Sequence, residues 1–146
     1  MTLLIRRSLL ATVLVLGTGA TAAADAVYHS ERLAFLGAAD PDFHGHVVNI
    51  HTNGPVNGAL ERYQVVRAAP STSYDVWIQV CAGEEFVDLV PTATLVTDRH
   101  GNGHARALFT PEELEPFSGL TVSIRWVLRT GDAIAYATEC TTVSID

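Results

Sequence analysis

The segment 43–51 reads FHGHVVNIH and holds three of the chain's six histidines. On an extended strand His44 and His46 point to one face, because side chains alternate with a period of two. Two imidazoles on one face can ligate a single ion, and imidazole suits zinc, copper or nickel. His51 has the opposite parity, so it joins them only through a bend or bulge. A second pair, His100 and His104, brackets a glycine-rich turn. If that turn packs beside the first strand, four histidines meet, and an open coordination position would allow catalysis. The plainer expectation needs no cofactor: half-exposed strand histidines, and turn histidines in water.

Copper–zinc superoxide dismutases, themselves sandwiches, use a His-x-His pair in a strand. His44-Gly45-His46 is similar to it in that pair alone, because the further histidines and the aspartate those enzymes need have no counterpart here. The run DPDFHG at 40–45 places Asp40, Asp42 and Gly45 at the offsets of an EF-hand loop. Its twelfth position is His51 where a bidentate glutamate is required, and the flanks are not helical, so the EF-hand is excluded. Asp40 and Asp42 are then turn residues or, at most, part of a calcium loop.

Other chemistries find little support. There is no G-x-S-x-G elbow and no H-E-x-x-H helix. Glu84-Glu85 and Glu112-Glu113 are adjacent acids, but a glycosidase pair is defined by separation in space. No catalytic residue is expected.

The first 24 residues have the three parts of a secretory signal. Arg6 and Arg7 precede a short apolar run, and small residues follow, with cleavage after Ala24 or Ala26. The apolar run falls short of the roughly 20 residues of a spanning helix, so no membrane span is expected after cleavage. The arginine pair also fits a twin-arginine route without its usual preceding polar residue. The mature chain, 25–146, is sized for a single domain. Without Arg6 and Arg7 it carries sixteen acids against seven arginines, a charge of −9, and the chain has no lysine. Such a surface repels phosphate backbones and anionic membranes, which excludes nucleic acid as a partner. In an exported chain the even pair Cys81 and Cys140 predicts one disulfide, with two buried thiols as the alternative.

The mature chain reads as strands between turns. Extended segments are expected at 28–36, 43–52, 60–67, 74–81, 85–90, 92–97, 103–109, 120–129 and 133–145. Segments 92–97 and 103–109 are expected to pair as a hairpin around DRHGNG. Tyr74, Val76, Ile78 and Val80 share one face, with Asp75, Trp77, Gln79 and Cys81 on the other. Trp77 then either packs on the disulfide or stands as a ligand platform. Leu120, Val122, Ile124, Trp126 and Leu128 form the second clear apolar face. In 133–145 the apolar parity flips, which predicts a bulge near Cys140. Thr110 before Pro111, Glu112 and Glu113 predicts one helical turn near 111–116. About eight strands and almost no helix indicate an all-β, antiparallel two-sheet sandwich, with a barrel as the alternative.

In APSTSYDVWIQV, 69–80, the spacing of Pro70, Thr72, Tyr74, Val76, Ile78 and Val80 resembles the tyrosine-corner segment of fibronectin type III and related immunoglobulin-like domains. The resemblance implies that Tyr74 buries its ring and hydrogen-bonds the preceding turn with its hydroxyl. It covers about a tenth of the mature chain, and too many strands follow Tyr74 for the fibronectin strand order. It therefore implies an immunoglobulin-like sandwich class, and a binding or structural module rather than an enzyme. Partners would be proteins or glycans outside the cytoplasm. The loops at 53–58, with Asn53 and Asn57, and at 98–103, with Asp98, Arg99 and Asn102, are the expected contact surfaces.

Overall fold

The alternation in the sequence is realised as two antiparallel sheets packed face to face. The computed structural model describes residues 28–37, 41–52 and 58–145. The expected signal segment 1–24, Asp40, Asn53 and Asn57 lie outside the described residues. In chain order the strands are β1 (Tyr28–Ala34), β2 (His44–Thr52), β3 (Ala59–Val66), β4 (Ser73–Ala82), β5 (Glu85–Val96), β6 (Gly103–Phe109), β7 (Leu120–Thr130), β8 (Ala133–Ala137) and β9 (Thr141–Ile145). One sheet has the order β1-β2-β3-β6. The other has the order β5-β4-β7, with β8 and β9 sharing the far side of β7.

Three local expectations change. The segments around DRHGNG do not form a paired hairpin: β5 and β6 belong to different sheets, joined only by the Thr97–Gly103 bridge. The turn is an arch between sheets, held by Asp98 Oδ1, which accepts from the His100 and Asn102 backbone N–H groups at 2.7 and 2.9 Å. Segments 85–90 and 92–97 are one strand, β5, running through Pro91. Two register shifts against β4 flank the proline, which is tolerated because β5 lies at the sheet edge. The last strand is broken rather than bulged. Thr138 Oγ1 accepts from the Trp126 backbone N–H at 3.1 Å, replacing a ladder carbonyl, and Cys140 turns into the Cys81–Cys140 disulfide.

The core lies between the sheets on the predicted parities. Val76, Ile78, Ile124, Trp126 and Leu128 are buried from one side, and Val47, Tyr63 and Val65 from the other. Tyr74 is buried, and its hydroxyl accepts from the Ala69 N–H at 3.2 Å. Burial pushes that phenol up to about 12. The disulfide ties β4 to the link between β8 and β9, the strands flanking β7. It thus stays within one sheet, whereas the antibody-type bridge crosses between sheets. A disulfide fits an oxidising, extracytoplasmic compartment. Among the described residues no helix is long and apolar enough to cross a membrane.

Between β6 and β7 the chain makes a short helix, α1 (Pro111–Leu114), followed by a 3-10 turn at Glu115–Phe117. The predicted helical turn carries a capping box. Thr110 Oγ1 accepts from the Glu113 N–H, and Glu113 Oε2 accepts from the Thr110 N–H at 2.8 Å. This segment sits across one end of the sandwich, and its position matters for the site.

Candidate functional site

The histidines do not converge. His44 and His46 share the outer face of the first sheet, as their parity requires. His104 lies in the same cross-strand row as His46, but Gln64 of β3 stands between them. The two imidazoles are therefore two strand spacings apart, about 10 Å. His100 sits in the exposed arch, where Arg99 Nε donates to its Nε2 at 3.0 Å. His51 faces the opposite side of β2 and stacks at a tilt on His29, ring centroids 4.9 Å apart. Burial, with the Arg32 guanidinium beside it, lowers the His46 pKa. Among the described residues no three His, Cys, Asp or Glu side chains gather as a metal site. Asp42 pairs with Arg67 Nη1 at 2.7 Å.

The two suspected loops are also separated. Thr52 and Gly58, which flank 53–57, lie at the α1 end of the first sheet, beside Phe109. The 98–103 arch, with Asp98, Arg99 and Asn102, is at the other end, where Gly103 opposes Val65. Trp77 is half-buried on the outer face of the second sheet, with the Arg129 guanidinium 5.2 Å from its ring. Arg129 in turn holds Asp88 by two hydrogen bonds, and the carboxyl drops below its usual range.

A different site lies inside the sandwich. At the α1 end the sheets enclose a cavity of about 570 Å³. Its floor, from the first sheet, is Asn49, His51, Ala59, Glu61 and Phe109. Its roof, from the second, is mostly apolar: Ile78 and Val80 of β4, Val122 and Ile124 of β7, Val143 and Ile145 of β9, with Ser144 of β9 as a polar member. Leu114 and Phe117 of the helical segment, with Glu113, line its mouth. The geometry follows from the strands. Inward parity on β2 and β3 brings Asn49 and Glu61 into one cross-strand row, with Glu31 of β1 next in line. The register shifts skip Leu89 and Thr92 in the β4–β5 pairing; Leu89 lines the cavity, and the Thr92 hydroxyl meets Tyr63.

Glu61 is the singular group. It is 3 % exposed, and its carboxyl bridges the sheets. Trp126 Nε1 donates to Oε1 at 2.9 Å, and the Tyr63 hydroxyl donates to Oε2. The Tyr63 oxygen also meets Thr92 Oγ1 at 2.7 Å. Burial raises the Glu61 pKa to about 7, although the bonds from Tyr63 and Trp126 pull the other way. Burial and the adjacent Glu61 carboxylate push the Tyr63 phenol well above its usual range. Among the described residues no arginine lines the cavity, and His51 is the one basic side chain in its lining. Attention to paired acids misses Glu61. Its signal is parity: in LERYQVV, 60–66, it shares the inward face with Tyr63 and Val65 while Leu60 points out.

No family model matches the chain, and neither the curated proteins nor the solved structures include a match to it.

Proposed function

We propose that the protein is a secreted, extracytoplasmic binding module of the immunoglobulin-like sandwich class, without catalytic activity, and that it takes a small apolar ligand between its sheets. The observation that carries this reading is the cavity at the α1 end. Its volume is in the range of small-molecule sites, its walls are apolar, and a few polar groups with one perturbed carboxyl converge at its floor. The disulfide, the leader-like first 24 residues and the buried Tyr74 corner support the compartment and the class. The loops at 53–58 and 98–103 support a shared contact surface less well, since their flanks lie at opposite ends.

Binding of the neutral fluorophore N-phenyl-1-naphthylamine to the exported chain tests the reading. One equivalent is expected to bind with enhanced emission and to raise the melting temperature. Ala59→Phe, which puts a ring into the cavity floor, is expected to abolish binding while the far-ultraviolet circular dichroism stays unchanged. A wild-type chain that binds no probe, or an Ala59→Phe chain that binds it equally well, would sink the cavity reading.

A further inference from the structure

We infer that the ligand carries a protonated amine at one end of an apolar body, with the ammonium seated against the Glu61 carboxylate and the hydrocarbon running between the sheets towards Leu114 and Phe117. This rests on the cavity being a ligand site, and it adds the chemistry of the headgroup.

The first ground is charge. Among the described residues the acids lining the cavity are Glu61 at its floor and Glu113 at its mouth, and no arginine lines it. Glu31 extends the inward row that holds Asn49 and Glu61. A carboxylate or phosphate headgroup would enter against that field, whereas a cation is drawn in. The second ground is hydrogen-bonding capacity. An ionised carboxyl accepts at about four lone-pair sites. The bonds from Trp126 and Tyr63 use two of them, leaving acceptor capacity. Asn49, the next position in the row, has a further amide acceptor. An ammonium offers three donors and no acceptor, which complements that set.

The third ground is desolvation. A buried anion without a counter-charge is costly, and one held by hydrogen bonds alone is only partly compensated. An ammonium in contact with Glu61 supplies the missing charge. Among the described residues the roof of Ile78, Val122, Ile124 and Val143 is aliphatic and carries no charged group for a second headgroup, and its one polar member, Ser144, already bonds Thr121 at 3.0 Å, so the rest of the molecule is hydrocarbon.

The seat also makes binding pH-dependent. The groups facing it are His29 and Glu31 of β1, Asn49 and His51 of β2, Tyr63 on its own strand, Thr92 of β5, Trp126 of β7 and Glu113 of α1. With Glu61 titrating near 7, its ionised fraction falls about tenfold from pH 8 to pH 6, and affinity for a cation falls with it. Protonation of His51 would act in the same direction, so the Glu61→Gln variant separates the two.

The test is calorimetric titration of the full exported chain with n-octylammonium, n-octanol and n-octanoate at pH 8 and pH 6. At pH 8 octylammonium is expected to bind at least about tenfold more tightly than octanol, with octanoate weakest. At pH 6 the octylammonium affinity is expected to drop about tenfold while octanol is unchanged. Glu61→Gln is expected to remove both the amine preference and its pH dependence while retaining octanol. Equal binding of the three, or octanoate binding best, would overturn the headgroup inference and leave the cavity standing. Binding of none of them would overturn the cavity reading and the inference together.

Discussion

Glu61 shows how one side chain can govern both recognition and stability. Its pKa rises from 4.5 to about 7 on folding, chiefly by burial. The unfolded chain therefore loses this proton near pH 4.5, and the folded chain near pH 7. Between those values the folded state holds the extra proton, so stability falls as pH rises through that window and then levels. The gap corresponds to about 3 kcal/mol of stability lost by pH 8 from this group. Glu61→Gln stays neutral, and its amide can accept from Trp126 while donating to the Tyr63 oxygen. Urea unfolding at pH 5 and pH 8 is expected to show a wild-type loss that the variant lacks, and a variant more stable than wild type at pH 8. An identical pH slope in the two proteins would contradict the burial-driven shift. At this scale the sequence was legible through parity: Glu61 shares the inward face of β3 with Tyr63 and Val65. Its contact with Trp126, 65 positions away, was not, because no local rule selects the strand opposite.

At the scale of elements, most spans followed from alternation and turn chemistry, and the misses have identifiable causes. Pro91 interrupts a strand only where it would break a ladder bond, and the outer side of an edge strand has no ladder. The parity flip near Cys140 was visible, but a threonine hydroxyl standing in for a carbonyl makes a full break there. The helical turn was legible because its capping box is local. It also lines the cavity mouth, which gives its cap a use. Thr110→Ala removes the acceptor for the Glu113 N–H and is expected to lower stability by about 1 kcal/mol in chemical denaturation. Because Leu114 and Phe117 depend on that turn, the variant is also expected to release a bound apolar probe faster in a stopped-flow displacement measurement. An unchanged release rate would mean that the mouth is shaped without the cap.

Over the whole molecule, the disulfide and the two-sheet packing act on the same loop. Cys81 and Cys140 are 59 positions apart, and the closed loop contains β5, β6, α1, β7 and β8. In the chain-entropy model its closure contributes about 4 kcal/mol, mostly by restricting the unfolded chain. Replacing both cysteines by alanine is expected to lower the unfolding free energy by about 2–5 kcal/mol with the sheets retained, read by urea titration and circular dichroism. A variant as stable as the wild type would show that the sheets alone hold the fold. The charge of −9 on the chain after Ala24 belongs to this scale too, since it acts on partners rather than on any one contact.

The sequence by itself determined the strand alternation, the inward faces of β4 and β7, the Tyr74 corner, the helical cap and the pairing of the only two cysteines. Each depends on a period of two, on a turn of a few residues, or on there being no other partner. Tertiary structure alone decided which strands became neighbours. It placed β5 and β6 in opposite sheets, set Gln64 between His46 and His104, and carried Trp126 over to Glu61. Those outcomes rest on long-range pairings, in which burial across a whole sheet outweighs the entropy of closing each loop, and strand parity fixes only which way a residue faces.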